Sequence, residues 1–147
     1  MPNPQNLPYA SWAGILSPFR RKKHYCQSIG EFKKSADNGY ASLHSLVECY
    51  ATLTDGRLGV QLSAADAGRL IRYNLHERLS LVSLSGAEYF KLLDRAGPAG
   101  ARGGAIYDLL LLACARKANA DRIYTLNERH FAALAPDLAT HIAIPGE

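Results

Sequence analysis

Cysteine is scarce in this chain of 147 residues, and so are methionine and tryptophan, at one each. The three cysteines, Cys26, Cys49 and Cys114, are odd in number and far apart. They offer no C-x-x-C pair and no Cys/His zinc spacing, which excludes a disulfide framework and a structural zinc site, and fits buried thiols in a reducing cytoplasm. No apolar stretch approaches the roughly 18 residues that span a bilayer, so no membrane segment is expected. The opening "MPNPQNLPYASWAGILSPF" has no basic region leading into a clean apolar one, so no signal peptide is expected. Internal repeats, low-complexity tracts and a domain linker are also missing. No Lys-Ser/Thr follows the glycines of "GPAGARGG", which argues against a nucleotide-hydrolysing loop. No nucleophile elbow is present either, and a Ser-His-Asp triad would have to be assembled from scattered residues.

What remains is ordinary globular composition: 48% hydrophobic and 20% charged, with a net charge of +4. The length suits one domain, residues 1–147, with a real core. Residues 1–19 are proline-rich, without a strong period, and read as a divergent N-terminus. The small positive excess permits an anionic partner without requiring one. "RRKKHYCQSIGEFKKSAD" (20–37) reads as a basic amphipathic helix with Tyr25, Ile29 and Phe32 on one face. Its start, including Arg21 and Lys22, is either a contact for an RNA backbone or a solvated helix end. Tyr25 and Phe32 are read as core rather than as stacking platforms.

Further along, "YASL" (40–43) is a strand. "HSLVECYATLT" (44–54) is a helix with Leu46, Tyr50 and Leu53 inward, and Asp55 and Gly56 make a turn. Ser63 opens a helix carried by "AADAGRLIRYNLHERL". "LSLVSL" (79–84) is a strand, and the Ser85/Glu88 capping box starts a helix to about Ala96. After the loop at 97–104 a helix runs roughly 104–118. "RIYTL" (122–126) is a strand, "ERHFAAL" a short helix and "HIAIP" (141–145) a last strand. Strands separated by helices imply a parallel sheet covered on both faces.

In such a sheet, ligands bind outside the carboxyl ends of the strands, where helices begin. Asp108 lies in the first turn of its helix, Glu48 near the start of another, and Asn127 directly after "RIYTL". Taken alone, Asp108 complements the helix dipole, worth about 0.3–1 kcal/mol. Taken alone, Glu48 is a solvated helix residue and Asn127 a turn or cap residue. The flanks alter the balance, because Ile106 and Leu109 to Leu112 surround Asp108 with apolar area, and a charge in such surroundings needs a partner. A hard cation accepts several carboxylates at once. Oxygen donors select Mg²⁺ or Mn²⁺ over zinc, and such an ion suits phosphodiester hydrolysis. His44 and Glu48, four apart, make either a metal pair or a surface contact. His130 packs or caps near the same rim. Arg102, in the glycine-rich loop, either touches an anionic substrate or sits in a segment whose glycines serve flexibility. The loop itself, ahead of a helix, offers backbone N–H groups to a phosphate.

Two stretches, "YASLHSLVECYATLT" and "ARGGAIYDLLLLACARKANADRIYTLNERHF", resemble the PIN-domain family, specifically the VapC-like toxins of bacterial toxin–antitoxin pairs. The likeness covers about residues 20–145. It implies a three-layer α/β/α sandwich with a central, mostly parallel sheet. It also implies a Mg²⁺- or Mn²⁺-dependent ribonuclease with RNA as substrate, a homodimer, and a cognate antitoxin that holds it inactive. The family's second and third acids match Glu48 and Asp108 as metal ligands. Its fourth position, often Asp and in many members Asn, matches Asn127, and a frequent hydroxyl beside it matches Thr125. These residues would be catalytic, with Arg102, Arg21 and Lys22 toward the RNA. One departure stands out. The family opens on a strand of the form "LDTSVL" that ends in the first metal-binding aspartate. Here the chain reads "PYASWAGIL", and no acid occurs before Glu31. A divergent or altered start accounts for this, and it leaves two further expectations: a silent domain that binds RNA or an antitoxin without cleaving, or a structural remnant.

Overall fold

The computed structural model describes residues 39–56, 61–76, 79–125 and 127–144. The expected helix at 20–37, Arg21, Lys22, Cys26 and the N-terminal residues 1–19 lie outside the described residues. The chain divides into two compact units, Met1–Ser80 and Leu81–Glu147.

In the first unit, strand β1 (Tyr40–Ser42) runs directly into helix α1 (Leu43–Thr54). Ser42 ends the strand and caps the helix, because its hydroxyl accepts the N–H of Ser45 at 3.1 Å. The buried residues of α1 are Ser45, Cys49 and Leu53; of the three the periodicity predicts inward, Leu53 is buried, Leu46 packs against the Cys49, Leu75 and Leu79 cluster, and Tyr50 is exposed. The cap explains the rotation: the Ser42 and Ser45 hydroxyls are hydrogen-bonded at 2.7 Å and buried, so that face turns inward. Cys49 then packs with Leu75 and Leu79. The turn at Asp55 and Gly56 forms as expected, with Gly56 at φ +71°, a conformation that favours glycine. Helix α2 (Ala64–Ile71) starts at Ser63, whose hydroxyl accepts the Asp66 N–H. It does not continue as one regular helix, since Arg72–His76 widen into a π-helical turn before strand β2 (Ser80–Val82). Ser80 donates its N–H to Gly39 O at 2.9 Å.

In the second unit, helix α3 (Gly86–Ala96) opens on the complete Ser85/Glu88 capping box. Helix α4 (Ala105–Lys117) is the buried spine. Leu109, Leu110, Leu112 and Cys114 are buried on it and pack with Leu92, Phe131 and Ile142. It ends in a Schellman motif: Ala120 N–H reaches Ala115 O and Asn119 N–H reaches Arg116 O, both at 3.0 Å. Asn119 takes the left-handed φ of 49° that this motif requires. Strand β3 (Ile123–Tyr124) follows, then helix α5 (Glu128–Leu134), a 3₁₀ turn at Pro136–His141, and strand β4 (Ile142–Ala143). Strands β3 and β4 pair in parallel, Ile123 opposite Ile142 and Tyr124 opposite Ala143. The α/β class with parallel pairing is as the sequence implies. The strands are shorter than expected. His141 belongs to the 3₁₀ turn that Pro136 starts, not to the last strand.

Candidate functional site

The geometry gathers around the start of α4. Gly104 precedes this helix and has no side chain to cap it, and the first turn carries one acid, Asp108. A carboxylate there is favoured by the positive end of the helix dipole. Leu109 and Leu110 are buried beside it, while Asp108 keeps 28% of its side chain exposed. It is half-buried rather than enclosed. Its partner is His130 on α5: Nδ1 lies 2.8 Å from Asp108 Oδ2. A carboxylate accepts and does not donate, so His130 Nδ1 carries the hydrogen.

His130 is mounted by the corner between β3 and α5. Thr125 is 1% exposed, and its N–H bonds to Ala143 O at 3.0 Å, one step beyond the β3–β4 pairs. Its hydroxyl accepts the Asn127 N–H at 3.0 Å, closing a tight local turn. The Asn127 carbonyl accepts the N–H groups of His130 and Phe131 at 3.1 and 3.0 Å. Phe131 is buried and pins the helix to the core. The exposed side chain of Asn127 makes no capping bond to its helix. The capping bonds are therefore made by its backbone carbonyl rather than by its side chain. Thr125, by contrast, is enclosed, so its hydroxyl shapes the turn.

Glu48 belongs to the first unit, in the second turn of α1, half-buried. His44, one turn earlier on the same face, brings Nε2 to 3.5 Å from Glu48 Oε1. Arg102 is exposed. In the loop that carries it, several backbone donors are engaged locally. Ala99 and Ala101 N–H groups fold back onto Arg95 O and Ala96 O, and Ala105, Ile106 and Tyr107 bond to the carbonyls of Arg102, Gly103 and Gly104.

Around this frame the charges are mostly structural. The Lys117 ammonium, at 2.7 Å, and the Ser85 N–H hold the Glu88 carboxyl down at about 2, and tie α3 to α4. Arg116 makes a two-pronged bond with Asp137 that lowers that carboxyl to about 2 and raises the guanidinium. Burial pushes the Cys114 thiol up, which suits a packing role rather than a nucleophile.

The donor chemistry fits a hard cation in one specific way. Among the described residues no three His, Cys, Asp or Glu side chains cluster as a ready metal cage. Asp108 Oδ1 stands outside the bond to His130, and Asn127 is exposed at the start of the helix that carries His130. Mg²⁺ needs no all-protein cage: one or two carboxylates, waters and substrate phosphates suffice. The His130–Asp108 contact joins residues 22 apart in sequence, and their spacing carries no signal of it. The nearest hint was that both lie at helix starts beside the same expected rim.

No helix among the described residues is long and apolar enough to cross a membrane. Neither a curated protein nor a solved structure matches the chain. A family model does, that of the PIN domain, over residues 15–135. That match runs through both units and includes Glu48, Asp108, Thr125 and Asn127, and it shows that the chain belongs to the PIN domain family, a nuclease-type α/β fold whose members generally depend on a divalent metal.

Proposed function

We propose that the chain is a metal-dependent ribonuclease of the VapC toxin type, acting on RNA in the cytoplasm. The observation that carries this reading is Asp108: a half-buried carboxylate at the positive end of the core helix, oriented by His130 beside the Thr125–Asn127 corner. Asp108 and Glu48 would hold Mg²⁺ or Mn²⁺. When bound, such an ion lowers the pKa of a coordinated water and steadies the charge that develops on a phosphate.

The chain's own residues supply the rest. Asp108 offers the oxygen not engaged by His130. The exposed Asn127 side chain orients water or a phosphate oxygen, and Thr125 acts through it by fixing the turn. The exposed Arg102, with Arg21 and Lys22, neutralises RNA phosphates, which makes binding salt-dependent. A homodimer and a cognate antitoxin complete the proposal.

A second reading has its own observation. The sequence reads "PYASWAGIL" where the family's first aspartate is expected. This favours a domain that binds RNA or an antitoxin without cleaving. Incubation of the protein with single-stranded RNA, with and without Mn²⁺, beside Asp108→Asn separates the two. Metal-dependent cleavage lost in the variant supports the nuclease. Salt-sensitive retention of uncut RNA supports the second reading.

A further inference from the structure

We propose that His130 is a positioning residue, which holds Asp108 by Nδ1–H donation to Oδ2 and so leaves Oδ1 as the oxygen that binds a divalent cation. The inference rests on the nuclease reading above. Three observations support it. The contact is short, 2.8 Å, and joins two side chains that keep 37% and 28% exposure, so solvent reaches the pair. A carboxylate free to rotate at such a place would divide its lone pairs between water and the cation. One strong hydrogen bond to an imidazole removes that freedom. The second observation is the mount. The His130 backbone N–H is fixed by the Asn127 carbonyl, and the Asn127 N–H by the buried Thr125 hydroxyl. The ring is therefore presented by a turn rather than by a mobile loop. The third is chemical: a carboxylate oxygen only accepts, so the hydrogen of this bond sits on Nδ1.

A side chain that orients a metal ligand through a hydrogen bond changes metal affinity by about 10- to 100-fold when removed. The test is Mn²⁺ binding to the full chain at fixed pH, read as free Mn²⁺ by electron paramagnetic resonance, with no RNA present. Four proteins are compared: wild type, Asp108→Asn, His130→Ala and His130→Asn. Asparagine keeps an N–H donor near the place of Nδ1. The expected result is loss of binding in Asp108→Asn, about 10- to 100-fold weaker binding in His130→Ala, and recovery of most of it in His130→Asn. If Asp108→Asn loses binding but His130→Ala does not, the positioning role is overturned while the nuclease reading stands. If wild type binds no Mn²⁺, or Asp108→Asn binds it equally well, the reading beneath the inference fails and the inference with it. Nitrogen-15 NMR of the imidazole gives a test that needs no alanine variant. A hydrogen on Nδ1 of His130 is expected in wild type, and an Nδ1 without one overturns the proposal.

Discussion

Thr125 is the most instructive position to perturb, because its hydroxyl is enclosed and has one defined task. Thr125→Val keeps the volume and removes the acceptor. The Asn127 N–H, now 3.0 Å from that oxygen, would face a methyl group. Stranding a fully buried donor costs about 1–3 kcal/mol. Asn127 is itself exposed, so water reaches the donor in part, and about 1 kcal/mol is expected here. For a chain of this size that lowers Tm by about 3 °C. Thr125→Ser keeps the oxygen and gives up one buried methyl, also about 1 kcal/mol. Stability alone therefore does not separate the two variants, and amide hydrogen exchange does. The Asn127 amide should lose protection in Thr125→Val and keep it in Thr125→Ser. Because the His130 N–H hangs on the Asn127 carbonyl, protection at His130 should fall with it. Unchanged exchange at Asn127 in Thr125→Val would refute this account of the turn.

Two further predictions concern the core and the charges. Leu112 is 1% exposed at the centre of the second unit, so Leu112→Ala should cost about 2–5 kcal/mol, seen as a lower urea midpoint with an unchanged slope. Glu88 is held at about 2, below its ordinary 4.5, by the Lys117 hydrogen bond first and the Ser85 N–H next. The folded state therefore binds fewer protons than the unfolded one in this window. The stabilisation is present above about 4.5 and is lost as pH falls toward 2. Glu88→Gln should flatten the urea midpoint over that range, and an unchanged acid profile would rule out this role for the carboxylate.

Some elements were legible from local chemistry alone. The Ser85/Glu88 capping box announced α3, and the apolar run after Asp108 announced α4, because each signal lies within one helical turn. The face of α1 was legible in part, at Leu46 and Leu53 but not at Tyr50. A count of apolar residues favours Tyr50, whereas the buried Ser42–Ser45 hydroxyl pair sets the rotation, and polar side chains that satisfy each other carry no hydrophobic signature. The π-helical turn at Arg72–His76 was also invisible, because the helical period runs through it without a proline or glycine. The last strand was overextended because β-formers such as Ile144 follow it, while pairing stops at Ala143. At the site, the residue types at Asp108 and Asn127 were legible from position after a loop and a strand. The bond from Asp108 to His130 was not, since it depends on how α5 packs against α4.

The central proposal, that Asp108 and Glu48 both serve as metal ligands, is tested most directly by Mn²⁺ affinity in single and double variants. Wild type, Glu48→Gln, Asp108→Asn and the double variant are titrated under one condition. If both residues are ligands, each single substitution weakens binding and the double variant binds most weakly. A Glu48→Gln or Asp108→Asn protein that binds Mn²⁺ as wild type does would contradict it.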